Sequence, residues 1–360
     1  MLITIRLSGK ELKEIEELVL RGDIDSVHDF IKYAIRNQLE LEKDRAGLAE
    51  LREAHLPKSD TKVRVRKEDN GKIIGYLGTG VKTLRFPPIE TTKFVSLDTS
   101  RLLERTKYPL WALKNKYFPL KFVLRVIQKI VFDNEGGKIP VNSLQNEIKE
   151  LAFQMREEME YLDNRLGYKR GYKIATGFPT NDDKSFNRFF NNFVVYISPD
   201  GNTIKGMLYE VGFVDIVDGN IILTEDGNNF AKLYSPIIDG YFQQKEFPGH
   251  PFSEEELNFL YDHIKQKVIS EATLYLFMLS QIEKGVDTPE GLNHTIKPFL
   301  DERFPKHGGY SIKSANSIRA GLTSRMVELK LIRIVKKDGR TFYKIEENGK
   351  EFKEGAKEWF

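Results

Sequence analysis

The chain has 360 residues, enough for two or three domains, and its 40% hydrophobic and 30% charged content is that of a soluble, well-packed protein. It has no cysteine, which excludes disulfides, thiolate zinc sites and cysteine nucleophiles. The net charge of +3 says little about partners by itself, so the distribution of charge along the chain must carry that argument.

Leu2-Ile3-Thr4-Ile5-Arg6-Leu7 alternates with period two, the pattern of a half-buried strand. Ser8 and Glu11 follow as a capping box, and Leu12, Ile15, Leu18 and Val19 then share one helical face. Gly22-Asp23 breaks that helix, and a second starts near Ser26 with Phe30, Ile31, Ala34, Ile35 and Leu39 at helical spacing. One strand and two short helices bury too little surface to stand alone, and the lone strand leaves a bare edge. Two copies that pair strands and interlock helices remove both problems, so this stretch predicts a homodimer or a higher homo-oligomer.

These residues resemble the ribbon–helix–helix DNA-binding domain of the Arc and CopG type. The resemblance rests on Ile3 to Ser8, the interhelical glycine, and the run from Ile24 to Ile35. It implies a two-stranded ribbon in the major groove of double-stranded DNA. With Ile3, Ile5 and Leu7 turned inward, Leu2, Thr4 and Arg6 point at the bases: Arg6 suits guanine, Thr4 several bases, Leu2 a thymine methyl. The family also clamps phosphate with amides at the start of the second helix, here Ser26, Val27 and His28.

Further along, the second helix is expected to continue to about Pro57. The stretch 61–85 is basic and predicts a hairpin about Asp69-Asn70-Gly71. Gly75, Gly80, Lys82 and Thr83 approach a phosphate loop, but Val81 spoils the spacing. Trp111, Tyr108 and Phe118 read as core. A helix is expected over 120–132, whose apolar run is broken by Lys121, Arg125 and Lys129 and is too short to span a bilayer. A long helix follows over 141–166, with Leu144, Ile148, Leu151, Met155, Met159, Leu162 and Leu166 as a core stripe or a coiled-coil contact. Next come a loop-rich stretch with Lys169, Arg170 and Lys173 clustered, and two helices over 186–197 and 202–211.

Then a pattern occurs twice. Glu210 to Val217 matches Glu328 to Val335, and Leu223 to Phe230 matches Ile345 to Phe352, with a turn of different length between. This helix–strand–turn–strand–helix unit resembles the winged-helix domain. The second copy is preceded by a capping box at Ser253 and Glu256, helices to about His263, over 269–283 and over 289–304, and a candidate recognition helix over 311–330. It is basic through Lys313, Arg319, Arg325, Lys336, Lys337 and Arg340, which suits duplex phosphates. In the first copy Asp215, Asp218, Glu225 and Asp226 oppose DNA and favour protein packing.

The expected class is therefore mainly α with small β elements (α+β). Its expected parts are a ribbon–helix–helix domain over 1–45, a linker with a basic hairpin over 46–113, and winged-helix-like modules over 114–240 and 250–360. The six histidines show no metal spacing, and no catalytic grouping is found, so we expect no enzyme and no cofactor. The N-terminus opens without an apolar leader, which points to a cytoplasmic protein without membrane contact. The expected function is a dimeric transcriptional regulator, a repressor. Rival readings are a plasmid-type replication initiator or partition protein, an antitoxin-like factor whose C-terminal region binds a protein partner, and a nucleic-acid enzyme.

Overall fold

The structure, a computed structural model, describes residues 64–67, 73–76, 93–133, 137–242 and 249–355. The ribbon, both N-terminal helices and the helix continuing to Pro57 lie outside the described residues. The chain divides into two compact units, 1–83 and 84–360. In the first, β1 (Arg64–Lys67) pairs antiparallel with β2 (Ile73–Tyr76), the hairpin expected about Asp69-Asn70-Gly71.

The second unit begins its helices with α1 (Thr99–Arg105), capped by the Asp98 carboxylate on the Ser100 amide at 2.8 Å. An irregular segment leads to α2 (Phe118–Asp133), β3 (Ile139–Pro140) and α3 (Val141–Arg165). Of the α3 stripe, Leu144, Ile148, Met155, Met159 and Leu162 are buried within this unit, so the stripe is core. Then come α4 (Asp183–Phe189), a π-type turn (Phe190–Val194), β4 (Tyr196–Ile197), β5 (Ile204–Lys205) and the single turn α5 (Met207–Glu210). The two helices expected over 186–197 and 202–211 are thereby corrected. Asp200 accepts bonds from Ser198 Oγ and from the amide of Asn202, a turn that stops the helix and folds β4 onto β5. The hairpin β6 (Val214–Val217) and β7 (Asn220–Leu223) leads into α6 (Glu225–Lys232).

The remaining elements are α7 (Glu254–Lys267), α8 (Ile269–Glu283), α9 (Pro289–Arg303), α10 (Ile312–Glu328), β8 (Ile332–Lys337), β9 (Arg340–Ile345) and α11 (Glu347–Glu354). The capping box of Ser253 and Glu256 forms with both of its hydrogen bonds.

The sequence repeat is also a repeat of backbone hydrogen bonds. Phe213 N donates to Leu208 O, and Leu331 N to Met326 O, closing the helix before each hairpin the same way. Gly212 and Lys330 take the left-handed conformation at the matching position. Both hairpins turn through Asp-Gly, Asp218-Gly219 and Asp338-Gly339, with positive φ at both residues. The expected difference in turn length is thereby corrected: the turns are alike, and the strands differ, four residues long in β6 and β7 and six in β8 and β9. After the hairpin, Thr224 N donates to Phe213 O and Glu346 N to Leu331 O. The following helix packs so closely that a Cβ on Gly227 would lie 1.9 Å from Phe213 O, and one on Gly349 2.1 Å from Leu331 O. Each second hairpin strand also takes a partner from upstream: β7 pairs with β3, and Tyr343 N donates to Asp287 O.

The two copies share one interior. Lys121 on α2 meets Glu256 on α7 at 2.9 Å, both fully buried, and burial pushes the lysine down to about 8 despite that carboxylate. Arg125 pairs with Asp239 in the same layer.

One expectation about the core is corrected. Phe118 is buried, but Tyr108 is 49% and Trp111 44% exposed. Ser270 Oγ donates to Tyr108 O, and Leu110 N donates to the Glu271 carboxylate. These bonds fix the segment along α8 so that Leu110 enters the interior while its aromatic neighbours face outward.

Candidate nucleic-acid interface

Leu2, Thr4, Arg6, Ser26, Val27 and His28 lie outside the described residues. The other candidates belong to the second repeat, where the structure sorts them by access.

In the β8–β9 hairpin, Arg333 pairs across the ladder with Lys344, Val335 with Phe342, and Lys337 with Arg340. Alternate residues share a face. One face therefore carries two like-charged cross-strand pairs with an apolar pair between them. Opposed like charges destabilise a ladder, and no described residue forms an ion pair with these cations. Arg333, Lys336, Lys337, Arg340 and Lys344 are all exposed, with Lys336 on the opposite face. The hairpin thus presents a positive excess that Asp338 in its turn offsets only in part. Lys313 is exposed in the first turn of α10.

Arg319 is partly withdrawn. Its Nε donates to Asn293 Oδ1 at 2.9 Å and its Nη1 to Tyr343 Oη at 3.2 Å, tying α9 and β9 to α10.

The expectation that Arg325 contacts DNA is corrected, because its side chain is fully buried. Nε and Nη2 grip the Glu271 carboxylate at 2.9 and 3.0 Å, and Nη1 donates to Lys114 O. Around it, the C-terminal half of α10 is covered by the segment between α1 and α2. A Cβ on Gly321 would sit 2.7 Å from Ala112 O, and the Glu328 carboxylate accepts the amides of Tyr117 and Phe118. The helix expected to enter a groove is therefore buried over 325–328 and most open near its start.

Much of the acidity of the first repeat is satisfied internally. Asp215 is buried under Arg101 and Arg105, and Asp226 holds Lys267, while Asp218 and Glu225 stay exposed.

Sequence reasoning noticed Lys169, Arg170 and Lys173 but not where they go. The hydroxyl of Tyr172 accepts from Ile334 N at 2.8 Å and donates to Ile334 O at 3.3 Å, closing the free edge of β8. Gly171, at φ +100°, lies so close that a Cβ there would be 2.5 Å from Ile334 Cδ1. The three cations, all exposed, are thereby carried to the edge of the basic hairpin. Nearby, burial first and then the Lys330 ammonium push His250 down to about 4. Only the spacing of a glycine within a basic loop hinted at this docking.

Among the described residues no group of histidine and carboxylate side chains is arranged to hold a metal ion, and no helix is long and apolar enough to cross a membrane. His263 is buried. Its Nε2 lies 2.7 Å from Val211 O, and burial holds it near 4.

No curated protein and no solved structure matches the chain. Residues 1–42 match the family model of the ribbon-helix-helix protein, CopG family, which bears out the resemblance read from the strand and two helices there and supports DNA binding and self-association by this part of the chain.

Proposed function

We propose that the protein is a sequence-specific regulator of transcription, a non-enzymatic repressor that binds double-stranded DNA as a dimer and occludes a promoter. The observation that carries this reading is the ribbon–helix–helix match over residues 1–42. In it Leu2, Thr4 and Arg6 read bases from the paired strands, and the amides of Ser26, Val27 and His28 hold a phosphate. The two repeats of the second unit are winged-helix-like. Each has a first helix, a short strand or a single backbone hydrogen bond, further helices and a hairpin, and that strand or bond engages the second hairpin strand. In the second repeat the wing supplies phosphate contacts through Lys336, Lys337 and Arg340, and Lys313 supplies another from the start of α10. Arg325 has no part in this, and Arg319 is held within the fold.

Footprinting on genomic fragments bound by the whole protein tests the reading, with Arg6→Ala beside wild type. Protected sites at promoters that vanish with Arg6→Ala support it. Protection that survives moves recognition to the second repeat. The tandem repeats favour one other reading, a replication initiator, which protected direct repeats at an origin would reveal.

A further inference from the structure

We propose that the segment joining α1 to α2 is a stacking platform for single-stranded nucleic acid, separate from the duplex-reading ribbon. Tyr108, Trp111 and Leu113, at 49, 44 and 54% exposure, turn outward from one short stretch of backbone. That backbone is not loose. It is held at Tyr108 O by Ser270, at Leu110 N by Glu271 and at Lys114 O by Arg325. A backbone held in this way has little freedom left to lose when a flat partner settles on its rings.

The surroundings decide which partner. The Lys107 ammonium lies 6.0 Å from the centre of the Tyr108 ring, and Lys306 stands 4.1 Å over the ring of Tyr310, a neighbour of Tyr108. Lys313 is exposed at the start of α10, the helix on which Ala112 packs. None of these lysines forms an ion pair among the described residues, and the nearby Asp301 carboxylate, which also draws on Lys306, is taken up by Lys297 and by the Tyr310 amide at 2.7 Å. Outward aromatic rings with free cations beside them match the demands of an unpaired strand, whose bases offer their faces while its phosphates need positive charge. A duplex fits poorly, because its base faces are already stacked and only groove edges are open. A second copy of the chain also fits poorly, since the centres of protein interfaces are depleted in lysine.

The test uses the full chain carrying Trp359→Phe, which leaves Trp111 as the only tryptophan. Oligothymidylate should quench its emission, and a labelled duplex of equal length without the footprinted site should not. Trp111→Ala should weaken oligothymidylate binding roughly 5- to 150-fold, with Trp111→Phe losing much less. If Lys107, Lys306 and Lys313 each neutralise one phosphate, log affinity should fall against log salt with a slope of roughly −2. The duplex footprint should be unchanged in Trp111→Ala, so loss of the footprint reading and loss of this one are told apart. Unchanged emission with oligothymidylate, or full affinity in Trp111→Ala, overturns the proposal. So does a blue shift that follows protein concentration alone, which would show a second copy covering the rings.

Discussion

Arg325→Met should destabilise the second unit by about 3–5 kcal/mol, because it leaves a carboxylate in the interior without its counter-charge. The structure sets up that cost closely. Glu271 is fully buried, takes two bonds from Arg325, and has the Leu110 amide as a further donor. Domains hold only about 5–15 kcal/mol in total, so the loss would be a large part of the whole. Replacing both partners, Arg325→Met with Glu271→Leu, removes the stranded charge. The cost then shrinks to what Leu110 N and Lys114 O lose as unpaired groups, roughly 1–3 kcal/mol each at most. The double variant should therefore be more stable than Arg325→Met alone. Urea unfolding without DNA, followed by tryptophan emission, compares wild type with both variants. If Arg325→Met costs under about 1 kcal/mol and weakens duplex binding instead, Arg325 faces solvent and the reasoning fails.

Gly227→Ala and Gly349→Ala should each cost at least the roughly 1–3 kcal/mol of overpacking, since the new methyl meets a carbonyl oxygen; equal stability to wild type in thermal melts would refute the close approach. His263 is held near 4 by burial, so its neutral form is favoured when folded; stability is intact above about pH 6.5 and falls as pH drops toward 4, by up to about 3 kcal/mol. His263→Asn should flatten this acid limb, with His250 sustaining what is left, and an unchanged pH slope would count against the burial. Lys337→Glu with Arg340→Glu should make the salt dependence of duplex binding shallower by roughly 2 units with site preference unaltered, and an unchanged slope would remove the wing from the interface.

The duplicated unit was legible because its determinants are local. Asp-Gly at both turns, the helix stop before each hairpin and the glycine in each following helix act over a few residues, and the backbone bonds repeat where the letters do. Charge was less legible. Arg325 and Lys313 look alike along the chain, and only the crossing of 110–118 over α10 buries one and leaves the other in solvent. Trp111 misled for the converse reason, since its composition says core while the anchoring of Leu110 turns it out. The β4–β5 insertion could have been read from Ser198, Asp200 and Asn202, whose mutual bonds favour a turn over a helix.

The crossing of 110–118 over α10 also bears on how the protein comes apart. The backbone leading into the first repeat acts as a strap whose amides are the counterparts of acids in the second: Leu110 for Glu271, Tyr117 and Phe118 for Glu328. A fragment starting near residue 250 would carry both acids with those amides gone, and Tyr275 without the Tyr117 hydroxyl 3.0 Å away. Such a fragment is a damaged core rather than a smaller protein. The two halves are alike in their backbone bonds, and the strap should make them melt as one.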